Sequence, residues 1–561
     1  MKEFNPIIIP ASMNLAYVTE SAKELTENIN SPPLASFSLV TDYKFGNAGE
    51  YLISIINGET VDELEYGESI CIFSPTGSGK TKAIEQISET LSRQEKIIIL
   101  TNRRACKIQL LKDLFKQFKD VPEEFIDKLK PDSNIEVTTY QDFVKKTQRY
   151  NGKKLLLVFD ECHCFSEDST FSVYPQQMIN YLRGNLDNTK RIYLTATPND
   201  VLPIIWDIEA LSDKKLYPLT SDNLRDFLRE TPEKSDTRIR HTYLMKSDWS
   251  YLTFKAYDPD NKEKLVEYIN KACSDGQKAL VFINDIASGA ELKEAFSDCQ
   301  HIYSDEDKKA DLHEIAVNEN FQSETLITTK VAENGLSLHD KKLSVIVAET
   351  YDLITLQQII GRARVNRKNP REIFVLVPDY SLSNLGSIQG KLYMQMTEFK
   401  RTIENPDFAM QCLPQPNPYI YYDAILEKPV VNYIGYQQLQ KQLNYVQALK
   451  EAEQEEPHAF IRQILSLYNK ATDSIDEMFI DYDTTKDCKQ RIVSAWENFK
   501  DSNRDETALK ILKEELKTAC NETGAYSKEL KSNIQIDTIN DILEFAGITN
   551  RISQGRKIFD I

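Results

Sequence analysis

Short, unbroken apolar runs, each followed by a turn and then a helical pattern, recur along much of this chain. The first series holds Ile70 to Phe73, Lys96 to Leu100, Ile135 to Tyr140, Leu155 to Phe159 and Arg191 to Leu194. Runs this short and this apolar read as strands covered on both faces, which is the pattern of a parallel sheet flanked by helices. The residues Lys82 to Leu91 carry a helical pattern between the first two runs. A second series begins later, with Ala279 to Ile283, Thr325 to Thr329, Leu343 to Ala348 and Phe374 to Val377, and a helix predicted over Thr355 to Ile360. The chain therefore predicts an α/β protein with two tandem parallel-sheet lobes.

What lies outside the two series is patterned differently. Residues 1–66 form an N-terminal extension, with a turn at Asn30-Ser31-Pro32-Pro33 and a helical stretch from Asn47 to Ile56. Residues 67–235 make the first lobe and 236–385 the second, with a charged, aromatic connector over about 235–262 that includes Trp249, Tyr251, Phe254 and Tyr257. From about 386 to 561 the sequence turns mainly helical and charged, as in Gln437 to Glu455 and Ala508 to Lys517. That region reads as a packing or partner domain. Its last stretch, Arg551 to Ile558, has the makings of a basic β-wing.

The chemistry concentrates where strands end. Ser74-Pro75-Thr76-Gly77-Ser78-Gly79-Lys80-Thr81 follows the first run and precedes a helix, the context a phosphate-binding loop requires. Gly77 and Gly79 let backbone N–H groups curl around a polyphosphate at the positive end of the helix. Lys80 is placed to reach the β- and γ-phosphates of ATP, and the Thr81 hydroxyl to ligate Mg²⁺. The fourth run ends in Asp160-Glu161-Cys162-His163. A carboxylate at the end of a buried strand is costly unless it meets a cation, and the Mg²⁺ beside Thr81 is the obvious one. Asp160 is expected to position that metal and Glu161 to orient and polarise the attacking water.

The run Arg191 to Leu194 leads into Thr195-Ala196-Thr197-Pro198, and here a resemblance becomes plain. SPTGSGKT, DECH and TATP, in this order and spacing, resemble the first lobe of superfamily 2 helicases, nearer the DEAH-like than the DEAD-box branch. The second lobe, from VFIND through TTKVAENGLSL to QIIGRAR, is similar to that of herpesvirus origin-binding-protein-like helicases. The resemblance spans residues 67–385 and implies two RecA-like lobes with an ATP cleft between them. It implies that Thr101, Arg103, Arg104, Thr139 and Thr329 hold a nucleic-acid backbone and that Gly335 borders the nucleotide. His163, Thr195 and Thr197 would link nucleotide state to nucleic-acid grip. It also implies 3′-to-5′ movement on DNA rather than RNA.

The second lobe has no phosphate loop of its own. Its expected role is to bring arginines across the cleft to the γ-phosphate, where they neutralise charge developing in the transition state. Gln358, Gly361 and Arg362 fit the family pattern, but its final arginine position is Val365, flanked by Arg364 and Arg367. Residues two apart on a helix lie about 200° round from each other, so Arg362 and Arg364 can share a target only if the helix ends at Gly361. Arg362 and Arg364 are the expected pair.

Composition adds bounds. A net charge of −18 speaks against indiscriminate adhesion to nucleic acid but leaves room for a local basic groove. Nine cysteines without paired spacing suit free thiols in a reducing, cytoplasmic setting, and Cys162-His163-Cys164 lacks a second ligand pair at zinc spacing. No apolar run approaches the roughly 18 residues of a membrane span. The expected function is nucleic-acid-dependent ATP hydrolysis coupled to translocation or strand separation, with a nucleotide-gated switch or loader as the competing reading.

Overall fold

The structure, a computed structural model, describes residues 42–46, most of 63–552, and 558–560. Outside the description lie 1–41, 47–62, 76, 92–95, 116–117, 119–120, 122–125, 127–133, 199, 210–236, 246–247, 304–310, 312–313, 316–317, 330–337, 366–369, 405–416, 424–427, 472–473, 481–483, 524–529, 531–533, 553–557 and 561. The expected helix Asn47 to Ile56 falls there, as do Thr76, Gly335 and Arg367.

Seven strands form the first sheet: β1 (Asp42–Gly46), β2 (Ser69–Phe73), β3 (Ile97–Thr101), β4 (Ile135–Thr139), β5 (Leu155–Phe159), β6 (Thr189–Thr195) and β7 (Ile239–Met245). Their order is β1-β7-β2-β6-β5-β3-β4, with every neighbouring pair parallel. Successive side chains of a strand point to opposite faces, so each apolar run supplies two cores at once. Cys71, Phe73, Leu155, Leu157 and Phe159 pack on one side; Ile70, Ile72, Leu156 and Val158 pack on the other. That double coverage is why the runs carry no polar alternation.

The second sheet holds β8 (Leu252–Tyr257), β9 (Lys278–Phe282), β10 (Cys299–Ile302), β11 (Thr325–Thr328), β12 (Leu343–Ala348) and β13 (Ile373–Pro378). The order is β10-β11-β9-β12-β13-β8, again all parallel. Together the two sheets and their flanking helices are tandem RecA-like lobes.

Two expected boundaries move. Residues 239–245 fall in the expected second lobe, yet β7 hydrogen-bonds between β1 and β2, so the first sheet reaches to Met245. The supposed connector shrinks further because Leu252–Tyr257 is an edge strand paired with β13, its buried and half-buried residues alternating at the start. The N-terminal extension likewise contributes β1 to the first sheet.

Nor is the region from 386 onward one accessory domain. Its first part consists of the helix Leu382–Glu404, a hairpin of β14 (Ile420–Asp423) and β15 (Lys428–Val431), and the helices Tyr433–Glu455 and Ala459–Leu467. Met396, Phe399, Val431 and Ile434 from this segment share a core with Cys71 and Phe159 of the first lobe. The same segment also touches the second lobe: Tyr468 packs against Trp249 at 5.3 Å and Phe254 at 4.8 Å, and His458 Nδ1 lies 2.9 Å from Asp379 Oδ2.

Residues 476–561 form a separate compact unit. The helices Thr484–Asp501, Glu506–Thr523 and Ile536–Phe545 close over a core that includes Trp496, Leu516, Ile542 and Leu543. An antiparallel hairpin of β16 (Asn550–Ile552) and β17 (Ile558–Asp560) follows, where the sequence predicts a wing. Among the described residues, no helix is long and apolar enough to cross a membrane.

Candidate active site

The site begins where β2 ends. Gly77 and Gly79 both have positive φ, +76° and +91°, and the helix Lys80–Leu91 starts directly after them. A side chain at either position would be strained, so the glycines are a backbone requirement of the loop. Within it, Ser78 Oγ donates to Ser74 Oγ at 2.9 Å and Lys80 Nζ donates to the Ser74 carbonyl at 3.2 Å. Thr81 is half-buried on the first turn of the helix.

β5 delivers two carboxylates to the same place. The Asp160 N–H donates to the Leu100 carbonyl, closing the ladder, and Glu161 then turns into left-handed backbone at φ +51°. That conformation is costly for a non-glycine residue, on the order of 1–3 kcal/mol, and such strain gathers at functional positions. Its effect is to set Glu161 Oε1 4.0 Å from Lys80 Nζ.

Burial lowers the Lys80 pKa, Glu161 and Asp160 pull it back up, and Arg364 and Arg362 lower it again. For Asp160, burial and the neighbouring Glu161 charge push the carboxyl up to about 7. Burial would also raise Glu161, but Lys80, the His163 hydrogen bond and charge, and Arg362 hold it well below the usual carboxylate range. An acid whose charge is resisted in this way accepts a cation readily, so Asp160 fits Mg²⁺. Mg²⁺ takes one or two protein carboxylates and completes its shell with phosphate oxygens and water. Among the described residues no group of three or more His, Cys, Asp or Glu gathers to hold a metal by protein ligands alone.

Behind the glutamate the expected coupling residues do come together. His163 Nδ1 lies 3.0 Å from Thr195 Oγ1 and 3.3 Å from Glu161 Oε2. Thr195 Oγ1 accepts from the Thr197 N–H at 3.0 Å. From the second lobe, Gln358 Nε2 approaches Thr197 Oγ1 at 3.5 Å and donates to Glu167 Oε1. Sequence reading missed Glu167, although it stands four residues after His163 and so shares its face. It also gave Trp249 no role at the site, where it joins Pro75, Glu161, Thr197, Gln357 and Arg362 around an interlobe cleft.

Both expected arginines follow the end of one helix. The helix Leu353–Ile360, capped by Asp352, stops at Gly361. The chain keeps turning, the Arg362 N–H donating to the Ile359 carbonyl at 3.1 Å, and then passes Leu338, whose N–H donates to the Arg362 carbonyl at 2.8 Å and whose carbonyl accepts from the Arg364 N–H at 2.9 Å. Arg362 and Arg364 both act electrostatically on Lys80. Arg364 Nη1 lies 3.8 Å from where a Cβ on Gly77 would stand.

The expected nucleic-acid contacts are less uniform. Thr101 is wholly buried at the end of β3, between β5 and β4, and offers no surface to a ligand. Thr139 caps the helix Tyr140–Val144 by accepting from the Asp142 N–H. Arg103 is half-buried, its Nη2 3.4 Å from Asp168 Oδ1, while Arg104 is exposed and Thr329 is buried just after β11.

Two family models match the chain: "Type III restriction enzyme, res subunit" over residues 21–200 and "Helicase conserved C-terminal domain" over residues 260–366. No curated protein matches the sequence. Similar solved structures include the DEAD-box helicase Mss116 bound to ssRNA and UDP-BeF. That pair is 13% identical, covers 71% of this chain and 87% of that one, and has a TM-score of 0.42. S. cerevisiae Dbp5 bound to RNA and ADP BeF3 is 15% identical, over 58% and 83%, at 0.38. Mycobacterium smegmatis helicase Lhr bound to ssDNA and AMP-PNP is 13% identical, over 65% and 56%, at 0.36. The two family models cover SPTGSGKT, DECH and TATP in the first lobe and QIIGRAR in the second.

Proposed function

Because the chain belongs to the superfamily 2 helicases, we propose that it hydrolyses ATP between its lobes and couples hydrolysis to movement along nucleic acid or strand separation. The observation that carries this reading is the charge cluster drawn from both lobes, with Lys80 and Glu161 on one side and Arg362 and Arg364 on the other. Such a site is complete only when the lobes are together, which ties turnover to a conformational step.

In this reading the loop from Ser74 to Thr81 and the Lys80 ammonium bind the phosphates. Glu161, held ionised, orients and polarises the water. Arg362 and Arg364 stabilise the charge that develops as the terminal phosphoryl leaves. Mg²⁺, held by Asp160 and Thr81, would neutralise phosphate charge. Arg103, Arg104, Thr139 and Thr329 are assigned to the nucleic-acid backbone, and His163, Thr195 and Thr197 to coupling. A restriction-enzyme model on the first lobe supports DNA ahead of RNA.

The test is ATPase turnover measured in parallel with single-stranded DNA, duplex DNA and RNA, beside strand displacement. Stimulation strongest with DNA supports the full reading. Stimulated turnover without displacement would make the protein a nucleotide-gated switch, and turnover indifferent to all three would sink both.

A further inference from the structure

We propose that Glu167 is a positioning residue that passes lobe closure from Gln358 to His163, and that the turn it begins passes the same movement to Arg103. This rests on the ATPase reading above. Glu167 is the last residue of the short helix Cys164–Glu167. Its Oε1 accepts from Gln358 Nε2, a contact between residues 191 apart in sequence that spans the two lobes. Its Oε2 stands 3.7 Å from His163 Nε2.

That distance is just beyond hydrogen-bond range. His163 is 2% exposed, and its Nε2 has no hydrogen-bond partner among the described residues, while Nδ1 is engaged by Thr195 and Glu161. A shift of about half an ångström at Glu167 would bring Oε2 onto that nitrogen. The element able to impose it is the second lobe, through Gln358. Closure would then seat the imidazole that touches the water-orienting Glu161.

The other end of the relay is the next residue in the chain. Asp168 Oδ1 lies 3.4 Å from Arg103 Nη2, and its Oδ2 accepts from the Tyr174 hydroxyl at 2.5 Å. The turn that follows is clamped. Asn432 Nδ2 donates to the carbonyls of Ser169 at 2.7 Å and Ser172 at 3.1 Å, and a Cβ on Gly435 would run into the Ser169 oxygen. A turn so fixed on its far side cannot absorb a displacement of Glu167 by bending away. Packed elements of this kind transmit small shifts because they have few alternative arrangements. Glu167 and Asp168 thus join a lobe-closure contact to an arginine assigned to nucleic acid, through one peptide bond.

The experiment uses the full chain with Glu167→Ala, Glu167→Gln, Gln358→Ala and the Glu167→Ala/Gln358→Ala double variant. Turnover at saturating ATP with an oligo(dT) strand, KM for ATP and Tm are measured for each. Small-angle scattering follows compaction on adding a non-hydrolysable ATP analogue with the same strand. Glu167→Ala should lower stimulated kcat about tenfold with KM within about twofold and Tm unchanged, since about 1.4 kcal/mol of barrier corresponds to that factor. Glu167→Gln, which still accepts from Gln358, should recover to within about threefold of wild type, and the double variant should be no worse than the poorer single one. Nucleotide-driven compaction should be lost in Glu167→Ala. Equal falls in Tm and kcat without rescue by Gln, or multiplicative losses in the double variant, would overturn the relay and leave Glu167 as structural glue. A wild-type chain that hydrolyses no ATP would defeat the functional reading instead. Compaction would still decide the relay: it stands if compaction depends on Glu167, and falls if wild type and variant compact equally or neither does.

Discussion

The ammonium of Lys80 lies 4.0 Å from Glu161 Oε1, so the phosphate-loop lysine and the glutamate after β5 form one charged unit. Lys80 is buried and Glu161 half-buried, and each is the other's principal compensation. The left-handed backbone at Glu161 is what turns its carboxylate toward the loop rather than back along the strand.

That mutual dependence gives the first prediction. Lys80→Ala should abolish ATP hydrolysis, because the phosphate charge and Glu161 both lose their cation in a partly desolvated site. Glu161→Gln should retain ATP binding while slowing turnover by orders of magnitude, since an amide cannot polarise water as a carboxylate does. Equilibrium nucleotide binding and single-turnover hydrolysis, measured on both variants, separate the roles. ATP affinity collapsing in Glu161→Gln would make Glu161 a binding or structural group.

The arginines make a second test. Arg362→Ala and Arg364→Ala should each lower stimulated kcat by about 10³-fold or more with ATP binding retained, as expected for groups that meet the γ-phosphate in the transition state. Arg367→Ala should mainly weaken nucleic-acid or interlobe contacts. If Arg367→Ala were the inactive variant and Arg364→Ala active, the downstream arginine would be the one that meets the γ-phosphate.

A stability prediction concerns the far end of the first sheet. Arg191 is wholly buried and meets Glu209 through Nε at 2.6 Å and Nη2 at 2.7 Å, with Tyr193 donating to the same glutamate. Removing one partner of a buried pair strands the other charge, so Arg191→Ala or Glu209→Ala should cost about 3–5 kcal/mol. Denaturant unfolding reads this directly. A cost below about 1 kcal/mol would place the pair with surface ion pairs.

The phosphate loop, the two carboxylates and the two strand–helix series were legible because each is specified locally: glycines before a helix, acids at a strand end, apolar runs of strand length. The end of the helix at Gly361 could also be argued from spacing alone, but the turn that carries on through Arg362 could not. What could not be read was decided at a distance. The run Ile239–Met245 mixes apolar and polar residues, and its place between β1 and β2 depends on strands some 170 residues away or more. The amphipathic helix Tyr433–Glu455 announces an apolar face but not that Ile434 would enter the core of the first lobe. Glu167 stands near enough to His163 to suggest itself, yet its partner Gln358 comes from the other lobe.

The C-terminal unit gives the last prediction. If the basic stretch at its end touched nucleic acid, removing residues from 537 onward would weaken binding. The structure argues against both the cut and the outcome. Ile539, Ile542 and Leu543 are fully buried in this unit's core, so that truncation would open it and confound any binding result. The cut belongs after Ile475, where the compact unit begins. The charge of Arg551 is already met by Glu544 at 2.9 Å, and the helix before the hairpin, with sequence IDTINDILEF, carries three acids and no base. Among the described residues of this end, acids outnumber bases, which suits a basic protein surface better than a polyanion. Deleting residues 476–561 should therefore leave nucleic-acid affinity within about twofold and the salt slope unchanged, because that slope counts phosphates neutralised. Titration of the truncated and full chains against one labelled strand at several salt concentrations makes the comparison. A loss of fivefold or more with a shallower slope would restore the wing as a nucleic-acid contact.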